Sequence, residues 1–404
     1  MQLALIGVGR VGGAVVDSLA AYDRLFDGGV VAGTVAVDTA PADLASLRAV
    51  SRPARVVVGA AYPCRDGVDG DNELGASIVA EDIDRVLAGV DYLPSHHVDA
   101  FLVVAALGGG IGGGGAPVLA RELRRLFERP VYGLGVLPGV DADDATARRS
   151  VRSLVTFVRE VDNLLLVTGD DQQGQIDVTE LARRVVAVFG TDRSAHAVFG
   201  GRPPGPSRTP DGTDERSDAN TAHDERDGDV PPGSDDGDAV TLETVLEAGT
   251  LSTLGYAVAP PRQPRLVDRI RQLLRQPTAG EANDDFVRTV RAAATGGTGG
   301  DVSRAAGAWV VVAGPRRTLS RSERGVDRGR EWLRSATGAD AVGGRTVITE
   351  DGPLTATVVL SGVRVVRQLT RLWEQAVATG SRDGRDRRSS EPPNWQDRTF
   401  DPLF

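Results

Sequence analysis

Two glycine-rich segments constrain this chain more than any other feature of its sequence. The first spans residues 6–13 (IGVGRVGG) and the second spans residues 108–115 (GGGIGGGG). Each follows an apolar run typical of a buried strand and leads into a helix-like segment. The start of a helix presents unpaired backbone N–H groups and the positive end of the helix dipole, and glycine lets a phosphate approach them closely. Two such segments facing one crevice predict a site for the di- or triphosphate of a nucleotide.

The first 190 residues alternate between strand-like and helical patterns, which predicts an α/β fold with an open parallel sheet. Apolar residues recur at helical spacing between the strands, as at Val151, Leu154 and Val158. Ligands of such sheets bind at the carboxyl ends of the strands, where both glycine-rich segments lie. The predicted strands are residues 2–6, 30–37, 55–58, 101–107, 131–137 and 164–167.

The second half of the chain predicts a smaller α/β domain with buried strands at residues 308–313 and 354–360. It is preceded by a run of Pro, Gly, Asp and Arg that has almost nothing to bury. We expect a nucleotide-binding domain (1–176), a connecting helix (177–199), a disordered insert (200–237), a smaller C-terminal α/β domain (238–375) and a flexible tail (376–404).

Composition excludes several classes of protein. The net charge of −10, without an Arg cluster interleaved with aromatic residues, argues against nucleic-acid binding. No apolar stretch reaches the roughly 18 residues of a membrane helix, so we expect a cytoplasmic protein without a transmembrane segment. The single cysteine, Cys64, and four histidines give no metal-ligand spacing, and no metal site is predicted from the protein's own residues.

The first segment alone favours a nicotinamide-dependent oxidoreductase, because Gly7, Gly9 and Gly12 spell G-x-G-x-x-G and Asp38 ends the next strand. The second segment argues against it, since a dinucleotide fold does not need seven glycines in eight positions. Glycine inside an element costs roughly 0.5–1 kcal/mol each, so something must approach that backbone. A third segment, residues 67–75, is either a surface turn with a helix cap or a phosphate contact.

Several motifs occurring in order resemble the tubulin/FtsZ superfamily and, within it, the archaeal CetZ branch. They are IGVGRVGG, AVDTAPADL, GVDGDNELGA, FLVVAALGGGIGGGGAPVLARELRR, VYGLGVLPG, FVREVDNLL and, in the second half, LSTLGYA and VVVAGPRRTLSRSERGVDRGREWL. Members are cytosolic GTP-binding proteins that assemble into filaments, and CetZ proteins are associated with cell shape. The resemblance implies GTP or GDP as ligand, with Mg²⁺ as the accompanying ion. It also implies self-association into filaments or co-assembly with related tubulin-like proteins.

The resemblance assigns the nucleotide contacts to three segments. They are Gly9, Arg10, Val11, Gly12, Gly13 and Ala14 in the first, Gly67 and Asn72 in the third, and Gly108, Gly109, Gly110, Ile111, Gly112, Gly113 and Gly114 in the second. The family signature is GGGTGSG or GGGTGTG, so Ile111 and Gly113 replace hydroxyl donors worth on the order of 1 kcal/mol each. Arg10 stands where CetZ proteins usually have Gln; its guanidinium either binds phosphate or is simply exposed.

The contacts to ribose and base depart further from the family pattern. The acid that binds the ribose falls on Ala142, which leaves Asp141 or Asp143 as substitutes. The family Asn after the next strand falls on Gly169. Asp177 is the candidate for the guanine base, although an acid at a helix start is favoured by the dipole without any ligand.

Hydrolysis in this superfamily depends on acidic residues that one subunit inserts into its neighbour's site. Matching residues 238–246 (DAVTLETVL) to that loop keeps Asp238 as the catalytic acid but places Thr241 at the second position. Thr cannot orient water as a carboxylate does, so slow or absent hydrolysis is expected. Two alternatives remain: a degenerate paralogue that regulates other filaments, and the oxidoreductase.

Overall fold

The computed structural model describes residues 1–25, 29–63, 67–94, 97–168, 176–190, 240–259, 279–296, 301–319, 325–349, 352–364 and 366–380. The insert at 200–237, most of the tail, Cys64, Gly169 and Asp238 lie outside them. Ten strands of the described residues form one continuous sheet. They are β1 (Leu3–Val8), β2 (Val31–Asp38), β3 (Arg55–Val57), β4 (Ala100–Ala106), β5 (Val131–Leu137), β6 (Asn163–Thr168), β7 (Leu251–Val258), β8 (Gly307–Pro315), β9 (Ala341–Thr349) and β10 (Thr355–Ser361).

Helices connect most of these strands. They are α1 (Gly9–Leu25), α2 (Pro41–Ser46), α3 (Asn72–Glu81), α4 (Ile83–Val90), α5 (Ala116–Leu126), α6 (Asp144–Glu160), α7 (Val178–Phe189), α8 (Leu242–Glu247), α9 (Ala279–Thr295), α10 (Arg316–Leu319), α11 (Gly325–Thr337) and α12 (Arg367–Gly380). A π-helical turn, Ile111–Gly115, leads directly into α5. Pro117 lies in the first turn of α5, as its missing N–H and fixed φ predict.

The strand order places both glycine-rich segments at one point of the sheet. The order is β3-β2-β1-β4-β5-β6-β7-β10-β8-β9, and the strands from β3 to β7 pair in parallel. The chain therefore runs outward in one direction from β1 and in the other from β4. Right-handed crossovers then place α1 and α5 on opposite faces. A crevice opens between the ends of β1 and β4, and ligands of open α/β sheets bind at such a switch point.

Burial explains why the central strands read as continuous apolar runs. Every residue of β5 is buried, as are all but the last residue of β4, because helices cover both faces of the sheet. On α6 the apolar stripe of Val151, Leu154 and Val158 is buried, while Arg148 and Arg152 lie outside the core. The helical spacing of these residues is thus the direct result of one-sided packing.

The helix α7 contacts both halves of the chain. Arg183 donates from Nε to the Tyr22 hydroxyl of α1 at 3.3 Å. Toward the second half, Ala187 packs with Val311 and Val347, and the Arg184 guanidinium lies 4.8 Å from the centre of the Tyr256 ring. The predicted connecting helix is therefore packed between the two halves and does not stand free of them.

The α/β fold class and all six predicted strands of the first half are confirmed, with bounds that shift by one or two residues. Neither β7 nor β9 was predicted as a strand. In β9 the reason is Gly343, which pairs with Trp309 of β8 and lies against its indole ring, where a Cβ would come within 2.7 Å of the ring. The sheet also continues across the predicted domain boundary, because Leu164–Leu166 of β6 pairs with Leu251–Thr253 of β7.

Candidate nucleotide-binding site

The first glycine-rich segment forms the tight turn from β1 into α1. A Cβ at Gly7 would overlap the carbonyl of Gly12, and a Cβ at Gly12 would overlap the carbonyl oxygen of Val104 in β4. Gly9 has φ +75°, a conformation that side-chain-bearing residues rarely adopt. The complete G-x-G-x-x-G spacing is therefore required by the backbone of the turn itself.

The two glycine-rich segments touch each other. A Cβ built on Gly9 would lie only 3.1 Å from the backbone nitrogen of Gly112. Gly112 in turn is held close to the carbonyl oxygens of Val8 and Ala106, the last residues of β1 and β4. The start of α1 and the turn that opens α5 thus meet at the switch point, as the sequence predicts for one shared crevice.

Protein atoms, rather than a ligand, explain most of the glycines in the second segment. Side chains at Gly113 and Gly114 would overlap Leu107 and Asn72, respectively, and one at Gly115 would press against Val79. A Cβ at Gly110 would likewise overlap the side chain of Val68. The need for glycine at these positions therefore comes from α3, the turn before it and the residue after β4, which approach the backbone there. A contact of the glycine backbone with a nucleotide stays a prediction.

Gly108 and Gly109 are different, because they remain half-exposed. A Cβ at Gly109 would find nothing nearer than the Ala106 carbonyl oxygen at 3.5 Å, which is ordinary van der Waals contact. The side chain of Ile111, which stands at the family's Thr position, is buried in the hydrophobic core. A Cβ at Gly108 would come within 2.9 Å of Thr146 and 3.0 Å of Ser150, so the open position of the second segment is Gly109.

The third segment supplies the cap of α3. Asp71 accepts a hydrogen bond from the Leu74 backbone N–H at 3.0 Å, and Gly67 lies in the half-buried turn before it. Asn72, a predicted nucleotide contact, is 5% exposed and donates from Nδ2 to Ser153 Oγ at 2.5 Å and to the Arg149 carbonyl at 3.1 Å. The Asn72 side chain therefore joins α3 to α6.

Arg10 forms an ion pair with Asp43. Its Nε lies 2.9 Å from Asp43 Oδ2 in α2, and its side chain is 72% exposed. The hydrogen bond and the charge of Asp43 raise the pKa of Arg10. Of the two roles left open by the sequence, this geometry favours the exposed side chain. Val11 and Ala14 are half-buried in α1, and Gly13 packs against Leu47.

The loop between β5 and α6 is held by α12. Gln368 donates to the Pro138 carbonyl at 3.1 Å, and Gln375 donates to the Ala142 carbonyl at 2.9 Å. Asp143 caps α6 by accepting from the Thr146 N–H at 2.6 Å, so its carboxylate is engaged. Asp141 is exposed and is the carboxylate of this loop that remains available.

The remaining predicted residues lie farther along the chain. Asp177 is exposed and caps α7 by accepting from the N–H groups of Thr179 and Glu180 at 3.0 and 3.1 Å. This is the ligand-free role that the helix dipole predicts, and a contact to the base stays a prediction. Gly169 and Asp238 lie outside the described residues. Thr241 caps α8 through its hydroxyl, which accepts from the Thr244 N–H at 3.2 Å.

One residue of this region was missed by sequence reasoning. Arg149 of α6 places its guanidinium against the carbonyl of Gly108, with Nε at 3.2 Å from that oxygen. The residue is remote in sequence from every glycine-rich segment, and its position in an amphipathic helix gives no signal of this contact.

A cavity of about 570 Å³ lies at the opposite ends of the strands and is separate from this site. Tyr132 at the start of β5, Asp162 before β6 and Thr250 before β7 line it. Burial first, and then the charges of Glu243, Glu247 and Asp162, raise the Tyr132 pKa above its ordinary value. In the described ranges no group of three or more His, Cys, Asp or Glu side chains is placed to hold a metal. Across those same ranges, every helix is too short or too polar to cross a bilayer.

Comparison with known proteins agrees with this architecture. Residues 2–173 match the GTPase domain of the Tubulin/FtsZ family, and residues 232–378 match the C-terminal domain of tubulin-like CetZ. The chain is 38% identical to the tubulin-like protein CetZ3 of Haloferax volcanii, with all of both chains covered. It is 37% identical to CetZ1 of the same organism, over 93% of this chain and 92% of that one.

Solved structures show the same fold. CetZ2 from Haloferax volcanii, a GTPγS-bound protofilament, matches with a TM-score of 0.71 and 31% identity over 95% of this chain and all of that one. CetZ1 from Haloferax volcanii, a GDP-bound monomer, matches with a TM-score of 0.68 and 34% identity over 94% of this chain and all of that one. With full-length identity above 30% and family models for both halves, this chain belongs to the CetZ group of tubulin-like proteins.

Proposed function

We propose that this protein binds GTP or GDP between its first two glycine-rich segments and assembles with copies of itself into filaments. The observation that carries the proposal is the contact of Gly9 with Gly112 at the β1/β4 switch point, with Gly108 and Gly109 left half-exposed beside it. The CetZ2 relative is a GTPγS-bound protofilament and the CetZ1 relative is a GDP-bound monomer, which supports both parts of the proposal.

The residues present fit a nucleotide diphosphate or triphosphate. The start of α1 offers backbone N–H groups and a positive dipole end, and the room at Gly109 lets an anion reach the second segment. Asp141 is available for the ribose, and Asp177 lies at the start of the helix that follows. An accompanying Mg²⁺ would be held by the phosphates and water with few protein ligands, which is its usual mode of binding.

Slow hydrolysis is the second part of the proposal. Thr241 uses its hydroxyl to cap α8 and carries no carboxylate with which to orient water. Ile111 lies in the core and offers no hydroxyl to the crevice. We further propose that residues 1–176 and 238–375 act as nucleotide-binding and activation domains joined by α7, and that the protein serves cell shape from the cytoplasm, as its family resemblance suggests.

The test is a three-part measurement on the full chain. Equilibrium titration with fluorescent GDP is expected to give saturable binding, and sedimentation with GTP is expected to give pelletable filaments. Phosphate release per subunit, measured at assembling concentration beside a CetZ relative, is expected to be at least tenfold slower. Turnover equal to that of the relative would overturn the claim of slow hydrolysis and leave the binding claim standing.

A regulator that has lost nucleotide binding is the alternative, favoured by the replacements at Ile111 and Thr241. Absence of binding at millimolar GTP, together with co-sedimentation with filaments of a CetZ relative, would establish it. The oxidoreductase has less support, because the Asp38 carboxylate is 5% exposed and accepts from the N–H groups of Thr39 and Ala40 at 2.7 and 3.3 Å. A side chain bound to its own loop is poorly placed to hold a ribose.

A further inference from the structure

We infer that Arg149 is a nucleotide-binding residue whose guanidinium contacts a phosphate group at the open end of the second glycine-rich segment. The inference rests on the proposed function and adds to it the cation that recognises the phosphate. It replaces Arg10, the cation singled out from the sequence, as the residue for that role.

The guanidinium of Arg149 lies between the second and third glycine-rich segments. Its Nε donates to the Gly108 carbonyl at 3.2 Å, and its Nη2 donates to Thr146 Oγ1 at 2.9 Å. On the other side is Gly70, with φ +80°, where a Cβ would come within 2.8 Å of both Cζ and Nε of Arg149. Three elements therefore hold the group in place, next to the half-exposed backbone of Gly108 and Gly109.

The charge of this guanidinium is not neutralised by an ion pair. Within the described residues no carboxylate lies within 4 Å of it, whereas Arg10 pairs with Asp43 and Arg152, one turn along the same helix, pairs with Glu73. Asp143 is near enough that Arg149 contributes to lowering its pKa, but hydrogen bonds from Thr146 are the larger cause and already engage that carboxylate.

The unused donors match a phosphate. Arginine carries five N–H bonds in a planar fork, and the two contacts with Gly108 and Thr146 leave three of them free. A half-buried guanidinium pays for desolvation unless an anion compensates it, and phosphate oxygens accept such bonds in pairs. Gly109, which is half-exposed and has no atom nearer than 3.5 Å to its Cβ position, lets the phosphate approach the protein at this point.

The experiment compares nucleotide affinities of the full-length wild type, Arg149→Ala and Arg149→Lys. Loss of charge-assisted hydrogen bonds predicts that Arg149→Ala binds GDP and GTP about tenfold to hundredfold more weakly. Guanosine has no phosphate, so its affinity for Arg149→Ala should be within twofold of its affinity for the wild type. Arg149→Lys keeps the charge but loses the planar guanidinium, so its GDP affinity should lie between those of the wild type and Arg149→Ala. The salt dependence of GDP binding should become shallower in Arg149→Ala.

The matched control is Arg152→Ala, which removes an arginine from the exposed side of the same helix and should leave GDP affinity unchanged. Equal GDP binding by wild type and Arg149→Ala would overturn the inference, and so would an equal loss of guanosine and GDP binding, which indicates a structural role. If Arg149→Ala does not fold, wild-type affinity in Arg149→Lys at both low and high salt would overturn it. Absence of nucleotide binding by the wild type would instead overturn the proposed function, and the inference with it.

Discussion

Asn72 and Ser153 form a buried hydrogen bond of 2.5 Å from Nδ2 to Oγ that joins α3 to α6 directly behind Gly113. Asn72 also donates to the Arg149 carbonyl at 3.1 Å, so one amide connects the third glycine-rich segment to the helix that carries Arg149. Its Oδ1 is buried and accepts no hydrogen bond within the described residues. The side chain therefore contributes to the shape of the site from behind.

We expect Asn72→Ala to lower the free energy of unfolding by about 1–3 kcal/mol, because it leaves Ser153 and a backbone carbonyl without their buried donor. Urea denaturation of Asn72→Ala, Ser153→Ala and the double variant measures the coupling between the two side chains. A coupling energy of at least about 0.5 kcal/mol is expected for residues in contact. Strictly additive effects would mean that the bond contributes nothing to stability.

The two kinds of glycine in the second segment predict opposite outcomes for alanine. Gly114→Ala would drive its methyl group into the Asn72 carbonyl, and such overpacking costs about 1–3 kcal/mol or more. Gly109→Ala has room for the methyl group, so its unfolding free energy should stay within about 1 kcal/mol of the wild type. Chemical denaturation of the pair decides this, and equal destabilisation would refute the distinction.

Gly12 and Gly13 of the first segment both lie in α1 and likewise predict opposite effects of alanine on stability. Gly13→Ala places its methyl group 3.7 Å from Leu47 and should raise stability by about 0.5–1 kcal/mol through helix propensity. Gly12→Ala meets the Val104 carbonyl and should destabilise. Thermal denaturation of the two single variants shows whether each melting temperature lies above or below that of the wild type. A lower melting temperature for Gly13→Ala would show that the helix start tolerates no side chain there.

The parts of the fold that the sequence predicts are those set by local pattern. Continuous buried strands such as β4 and β5 and the one-sided stripe of α6 follow from the period of apolar residues. The strand β9 was missed because Gly343 breaks that pattern, and the need for glycine there comes from the indole of Trp309 in another strand. Contacts between distant elements leave no local signal of this kind.

The candidate site, like the fold, has parts that follow from local sequence and parts that depend on tertiary contacts. The position of both glycine-rich segments could be predicted, because strand, turn and helix start are adjacent in the chain. Which glycines face protein and which remain open could not, since Asn72 and Val79 reach the second segment from α3. The contact of Arg149 with Gly108 joins residues 41 positions apart and likewise depends on tertiary packing.

The last turn of α7 is held by a residue from the second half of the chain. Arg345 of β9 donates to the carbonyls of Ala187 and Gly190, which close the helix. A cation at this end also interacts favourably with the helix dipole. Arg345→Ala should lower the free energy of unfolding by about 3 kcal/mol or more, since two hydrogen bonds are lost and each one from a charged donor contributes about 1.5–3 kcal/mol. Urea denaturation measures the loss.

Hydrogen exchange tests whether the stability lost in Arg345→Ala is lost specifically at the end of α7. The amides of the last turn of α7 should exchange faster in Arg345→Ala, while those of β4 should change only as far as global stability does. Arg334→Ala, at an exposed position of α11, is the matched control and should leave both regions unchanged. Uniform acceleration across α7 and β4 would indicate a global effect without a specific role at the helix end.

The final prediction concerns Asp38, whose carboxyl is buried at the end of β2. Burial raises its pKa above the ordinary 3.8, and hydrogen bonds from Ala40 and Thr39 oppose that effect only in part. The folded state therefore takes up a proton more readily than the unfolded state does. Its contribution to stability is complete below about pH 3.8 and is lost as the pH rises through the folded-state pKa.

Asp38→Asn removes this dependence while keeping an oxygen to accept the two backbone bonds. We expect the variant to gain stability relative to the wild type between pH 4.5 and pH 7, with the smallest difference at the acid end. Urea denaturation at several pH values measures it, and Asp340→Asn at an exposed position controls for the loss of one negative charge. If Asp38→Asn instead becomes less stable than the wild type as the pH rises, the ionised carboxylate is the favoured form at this strand end. That result would mean that the hydrogen bonds from Thr39 and Ala40 outweigh the desolvation of the buried charge.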